Sequence, residues 1–299
     1  MTGGGLLVVG DVVTDVVARH GRTAPAHGTD TPARIRTLPG GAGANVACWA
    51  ARSGCADVRL LARVGADSAD WHRDALRRAG VRCLLTVDDD VPTATVVALV
   101  DSAAERTFLT DSGAVLRLSP DDWSPSMLDG IAQLHLSGYL LFAATSRATA
   151  LLALREARRR RIPVSIDPAS AGFLAELGAD RFLTAVGGVD LLLPNADEAR
   201  LLTGLPEPAD AAAKLSLQVG RVVVTLGADG ALLAAGGAVT RRVPAVQVRG
   251  AVDSTGAGDA FTGGFLAAHL TGADDASAAA AGCRAGAEAV TIVGGRPGP

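Results

Sequence analysis

Two glycine clusters each run straight into an apolar segment. The first is Pro39-Gly40-Gly41-Ala42-Gly43-Ala44-Asn45-Val46-Ala47. The second is Asp253-Ser254-Thr255-Gly256-Ala257-Gly258-Asp259-Ala260-Phe261. Gly256, Ala257 and Gly258 carry little or no side chain, so a ligand can come close to their backbone N–H groups. The first turn of a helix leaves such groups without internal partners, and the macrodipole adds partial positive charge. A phosphate fits there. Asp259 follows in the same turn. A carboxylate facing a bound anion opposes binding, yet it suits a general base that takes a proton from a hydroxyl attacking phosphorus. The same carboxylate could instead do no more than stabilise the start of the helix.

Other chemistries are excluded by spacing. The dinucleotide fingerprint needs a third glycine at position 46 or 261, and these are Val46 and Phe261. The one lysine, Lys214, sits in Ala-Lys-Leu, so there is no Walker A loop and little basis for Schiff-base chemistry. The four cysteines, Cys48, Cys55, Cys83 and Cys283, form no Cys-x-x-Cys pair and no zinc pattern. They read as small apolar residues in a reducing compartment. Net charge is −3 and aromatics are 3% of 299 residues, which argues against a nucleic-acid binder. Leu6–Val9 is too short for a signal segment, and no apolar run approaches a membrane span. A soluble, cytoplasmic protein is expected.

The elements that must position these residues follow from periodicity. Leu6–Val9, Val58–Val64, Ile131–Leu136, Ile162–Ile166, Val189–Leu193 and Val222–Leu226 read as strands buried on both faces. Helical patterns alternate with them at Gly43–Gly54, Ser68–Ala79, Ser146–Arg160 and Asn195–Leu202. Two Ala-rich helices at 257–270 and 274–291 follow. That rhythm implies a mostly parallel sheet covered on both sides, a three-layer α/β/α sandwich. Segments 11–39 and 81–110 alternate like antiparallel strands and interrupt it. They read as a small β-strand lid, about 12–39 and 90–111, on a single domain spanning 1–299.

The second cluster resembles the C-terminal signature of the ribokinase-like (PfkB) carbohydrate kinase family. Gly40-Gly41-x-x-x-Asn45-x-Ala47 resembles its N-terminal signature. Asn195-Ala196-Asp197-Glu198 is similar to its Asn-x-x-Glu motif, and Thr225-Leu226-Gly227-x-x-Gly230 to its nucleotide loop. The four motifs stand in family order over nearly the whole chain. The resemblance implies a Rossmann-like kinase using ATP and Mg²⁺. It makes Asp259 the base and Gly256, Ala257 and Gly258 the anion hole. It places Mg²⁺ at Glu198 and Asn195 through water, and nucleotide at Asn195, Thr225, Gly227 and Gly230. It puts Asp15, Gly40, Gly41, Asn45 and Ser137 on the sugar, with Arg106 reaching from the lid and Asp167 near the phosphates. It also implies a potassium site at Asp253, Thr255, Ala289, Ile292 and Gly294, and relatives commonly dimerise through the lid.

Bland alternatives stand beside these roles. Asn195 and Glu198 match a helix capping box. Asp15 could belong to a lid turn, Arg106 could be an exposed strand residue, and Asp253 could only cap its loop.

Departures from the pattern bear on substrate. Val13 stands where ribokinase proper has an asparagine, and Ser137 where it has a glutamate. Ribose is therefore not the expected acceptor. A sugar or sugar acid is the first reading. A nucleoside stacked on Phe108, Trp49 or Phe142 is the second, and a non-catalytic family member is a third. The adenine-side position is Gly282, which says little about base contacts.

Overall fold

The computed structural model describes residues 4–21, 24–25, 27–102 and 106–298. β1 (Gly5–Val9) is wholly buried and lies inside a nine-stranded sheet. Beside it run β4 (Val58–Gly65) and β5 (Val81–Asp88). On its other side come β8 (Ile131–Ser137), β9 (Val164–Asp167), β10 (Leu191–Leu192) and β11 (Arg221–Thr225). All of these pair in parallel. β12 (Ala231–Ala235) and β13 (Ala238–Val243) add an antiparallel edge.

Alternate side chains explain the continuous apolar runs. Leu7 and Val9 enter one core, against α3 (Ala144–Arg159), α6 (Ala196–Thr203) and α7 (Pro208–Leu215). Leu6 and Val8 enter the other, against α1 (Ala42–Arg52), α8 (Ala257–Leu270) and α9 (Asp275–Ala289). A strand sandwiched between helices needs apolar groups on both faces. The architecture is the expected three-layer α/β/α sandwich. Among the described residues no helix is long and apolar enough to cross a membrane.

A second, four-stranded sheet stands over the carboxyl ends of the first. Its order is β3 (Ala33–Gly40), β2 (Val13–His20), β6 (Ala94–Val100) and β7 (Arg106–Asp111). It is built from the segments expected to form a lid, and two details differ from the sequence reading. Residues 81–88 do not join it; β5 pairs parallel to β4 as the edge strand of the main sheet. Its alternation reflects burial on one face, which a lid strand shares. Within the lid, β2 and β6 run parallel.

β1 leads into β2, and β3 leads into α1, so the lid is rooted where α1 begins. That junction is crowded. A Cβ on Gly43 would lie 2.7 Å from the Gly10 Cα and 2.9 Å from the Asp11 nitrogen. Gly43→Ala should therefore cost about 3 kcal/mol through overpacking against backbone, lowering Tm by roughly 5–10 °C. Gly172 in α4 (Ala171–Leu177) has only Ser170 Oγ within reach, at 3.8 Å. Gly172→Ala should leave Tm unchanged or slightly higher, and scanning calorimetry on the two variants reads both shifts.

Candidate active site

A cavity of about 610 Å³ opens between lid and main sheet. Its floor is the carboxyl end of the parallel strands, flanking the point where neighbours of β1 lead off in opposite directions. Open α/β sheets bind ligands there. Asp11 follows β1, Tyr139 follows β8, Asp167 ends β9, Asn195 follows β10 and Thr225 ends β11, and all of them line the cavity.

Asp259 stands in the first turn of α8, beside Gly256, Ala257 and Gly258. Gly256 is the N-cap, with φ 71°. A Cβ on Gly258 would meet nothing within 4 Å, so this backbone is open to a ligand. The Ala257 N–H also reaches the Ser254 carbonyl, at 3.3 Å. Asn45 Nδ2 donates to Asp259 Oδ2 at 2.8 Å, while Asn45 Oδ1 is buried without a partner among the described residues. The two glycine clusters, 214 residues apart, thus meet at one hydrogen bond. Burial drives the Asp259 carboxyl well above the usual range, and Asp167, Asp11 and Asp15 push the same way.

One wall of the cavity is built around Asp15. Its carboxylate rests on Gly40, where a Cβ would come 2.1 Å from Oδ2. Gly40 therefore leaves room for Asp15; Gly41 and Asn45, but not Gly40, line the cavity. Burial raises the Asp15 carboxyl to about 7; Arg296 pulls it down, and Asp11 and Asp253 push it up. Arg296 was not foreseen. Its guanidinium is buried, Nη2 donates to the Gly40 carbonyl at 2.8 Å, and Nε and Nη1 find no acceptor among the described residues.

Asp11 was also missed, although it directly follows a buried strand. It accepts from the Ala42 and Gly43 N–H groups at 2.7 and 3.1 Å, which caps α1 from outside the helix. Ser137 Oγ donates to Asp11 at 2.7 Å and is 1% exposed. Ser137 is thus turned away from the cavity, and its expected substrate contact gives way to supporting Asp11. The side chain of Arg106 lies outside the described residues.

At the start of α6, Asn195 and Glu198 form a reciprocal capping box, each bond 2.9 Å, and both line the cavity. Burial, then repulsion from Asp259 and Asp197, lifts Glu198 to about 7. Asp167 is raised by burial and by Glu198. It accepts from the Ala169 N–H at 2.8 Å, and Ala169 holds φ 84°, a strained value for a residue with a Cβ. Thr225 lines the cavity; Gly227 and Gly230 lie in the turn beyond it. A Cβ on Gly230 would reach the Val243 carbonyl at 2.0 Å, so this glycine serves the β12–β13 corner.

Asp253 gathers the loop before α8. Oδ1 accepts from the Thr255 N–H and hydroxyl at 2.9 and 2.7 Å, and Oδ2 from the Gly294 N–H at 2.9 Å. Ala289 and Ile292 bond to each other in the adjoining turn.

Of the proposed stacking residues, Trp49 is buried and donates to the Gly295 carbonyl at 2.9 Å, so it is structural. Phe108 and Phe142 line the cavity, with Tyr139 and Phe173. Phe142 and Phe173 stack at 5.0 Å, and Tyr139 meets both edge-on. Gly282 packs on the Phe261 ring. Lys214 donates to the Thr203 carbonyl and is far from this chemistry.

A family model described as "pfkB family carbohydrate kinase" matches residues 5–298. The chain belongs to this family. A fructokinase of Klebsiella pneumoniae is 33% identical over 273 residues, 88% of this chain and 84% of that one. A 2-dehydro-3-deoxygluconokinase of Thermoproteus tenax is 33% identical over 238 residues, 76% and 72% respectively. Ribokinase from Thermotoga maritima superposes with TM-score 0.82 at 27% identity, covering 97% and 94% of the two chains. An Escherichia coli structure described as a ribokinase II with ATP and Mg²⁺ gives 0.86 at 24%, covering 98% and 94%. As a PfkB carbohydrate kinase, the chain is a phosphotransferase with an alcohol group as acceptor.

The buried carboxyls set a pH test. Asp15 and Glu198 are both raised to about 7, so each holds its proton more tightly folded than unfolded. The stability this gives is full below the ordinary range near 4 and is lost as pH rises through about 7. His72 and His135, lowered to about 4 and 3 by burial, oppose it only below their ordinary value of about 6.5. Ligand-free protein should gain roughly 5 °C in Tm between pH 8 and pH 6.5, read by scanning calorimetry.

Proposed function

We propose that this PfkB kinase transfers the γ-phosphate of ATP to a hydroxyl of a sugar or sugar-like acceptor, with Asp259 as general base. The observation that carries this is the Asn45–Asp259 hydrogen bond at the mouth of an exposed helix N-terminus. It aims a proton-seeking carboxylate at the space beside three small-residue N–H groups. Asp15, Gly41 and Asn45 would hold the acceptor, with Gly40 making room for Asp15 and Arg106 reaching from the lid. The hydroxyl proton would pass to Asp259 as the oxygen attacks. Gly256, Ala257 and Gly258 would receive the charge on the transferring group. Asn195, Thr225, Gly227 and Gly230 would border the nucleotide.

Glu198 and Asn195 both line the cavity and offer oxygen ligands, and among the described residues no group of three His, Cys, Asp or Glu could cage a metal. That suits Mg²⁺, which keeps its waters and binds phosphate. When bound, it would neutralise charge between the phosphates. Asp253, Thr255, Ala289, Ile292 and Gly294 would border K⁺, and turnover should rise when K⁺ replaces Na⁺.

The same proposal treats 1–299 as one kinase domain with a mobile lid that excludes water on closing. It pairs two copies through the outer lid face, where Ile35 and Leu109 are exposed. Four free cysteines fit the reducing cytoplasm. A nucleoside acceptor is the second reading, favoured by the Tyr139, Phe142 and Phe173 wall.

Asp259→Asn should lower kcat by about 10²–10⁴-fold with ATP still bound. ADP release on Mg²⁺-ATP, across sugars, sugar acids and nucleosides, measures it. Wild-type turnover in that variant would remove Asp259 from the chemistry.

A further inference from the structure

A second hollow of about 220 Å³ continues from the main cavity and shares Val17, Ala98 and Thr255 with it. Three arginines line it: Arg19 on β2, and Arg34 and Arg36 on β3. The strand register puts them on one face. Arg19 pairs directly with Arg34, and Arg36 pairs with Val17, whose side chain lines both hollows. Asp15, two residues before Val17, lies on that same face. Like charges directly opposed across strands destabilise a sheet. Yet none of the three arginines forms a hydrogen bond or an ion pair with any described residue. The one carboxylate in the hollow, Asp253, is occupied by Thr255 and Gly294. An unpaired cluster of guanidinium groups, walled on the other side by the loop leading to the anion hole, is a place for an anion.

Register also fixes where the anion would sit. Asp15 pairs with Leu38, and Arg36 lies two residues further along β3. At about 3.3 Å per residue, Arg36 is roughly 7 Å beyond Asp15 and Arg34 roughly 13 Å. Arginine side chains can lean back along the strand, so the span suits one molecule held at both ends.

We infer that Arg19, Arg34 and Arg36 form an anion subsite for the acceptor, so that the substrate carries a carboxylate or phosphate at the end remote from the attacked hydroxyl. This rests on the kinase reading above and narrows it to acidic sugars. Neutral sugars would leave these exposed guanidinium groups to water. The triphosphate of ATP is the other source of the same chemistry, and the experiment separates the two.

ADP release would be measured on the full chain with matched acceptors: gluconate against glucose, 2-dehydro-3-deoxygluconate against 2-deoxyglucose, and fructose 1-phosphate and 6-phosphate against fructose. Nucleosides complete the panel. The acidic member of a pair should be preferred by at least tenfold. Arg34→Ser/Arg36→Ser should raise its KM about tenfold or more, leaving kcat and the KM for ATP unchanged, and Arg19→Ser should act in the same direction. Arg36→Lys should restore part of the affinity. A raised KM for ATP alone would assign the cluster to the nucleotide and overturn the inference. So would equal use of neutral and acidic acceptors, a preference for nucleosides, or variants indistinguishable from wild type. Absence of turnover on every acceptor would count against the kinase reading. In that case calorimetric binding of 2-dehydro-3-deoxygluconate, weakened in the double variant, would still sustain the subsite, and its absence would sink it.

Discussion

Five buried or half-buried carboxylates, Asp11, Asp15, Asp167, Glu198 and Asp259, face one sheltered cavity, and the rest of the structure is what keeps them there. Left in water, such groups would separate. Here four of them are anchored by donors: α1 amides and Ser137 for Asp11, Asn45 for Asp259, the Asn195 amide for Glu198 and the Ala169 amide for Asp167. The anchoring leaves the acids close enough to repel one another. Burial and mutual repulsion then raise the carboxyls of Asp15, Asp167, Glu198 and Asp259, which hold protons they would ordinarily have lost. A basin of this kind is unstable as a set of anions and becomes stable when cations or protons enter. That is the physical reason for expecting a metal cation to accompany any phosphate that enters.

The glycines serve the same end. Gly10 and Gly43 let the end of β1 abut the start of α1, and Gly40 admits the Asp15 carboxylate. Without these close approaches, Asp11 could not cap α1 and Asn45 could not reach Asp259. The N-terminal glycine cluster is therefore a packing device first, and its contribution to binding follows from the geometry it permits.

This explains what was legible in the sequence and what was not. The Gly-Ala-Gly-Asp turn could be read because its chemistry is local: the N–H groups and the carboxylate belong to one helical turn. The strand and helix rhythm could be read because two-sided burial writes continuous apolar runs. β5 was misassigned because an edge strand and a lid strand carry the same one-sided alternation. Ser137 was misassigned because position along the chain says nothing about which way a hydroxyl turns. Asp11 carried a usable signal, since a carboxylate placed just after a buried strand at the binding edge has few roles. Arg296 carried none. It lies 281 positions from Asp15 and no local pattern ties the two.

Arg296 also shows how the lid and the body are joined electrically. Its guanidinium touches the Gly40 carbonyl at the lid root and moderates the Asp15 carboxyl, while two of its nitrogens stay bare. A buried cation beside an overcrowded set of acids offsets part of their repulsion without filling the cavity. It lies far along the sequence from Asp15, so the lid root and the segment after α9 share one electrostatic environment. Further out on the same lid face, the unpaired arginines extend that positive charge beyond Asp15. A ligand that is acidic at one end and hydroxylated at the other would meet a matching gradient, from guanidinium groups at the rim to carboxylates at the floor.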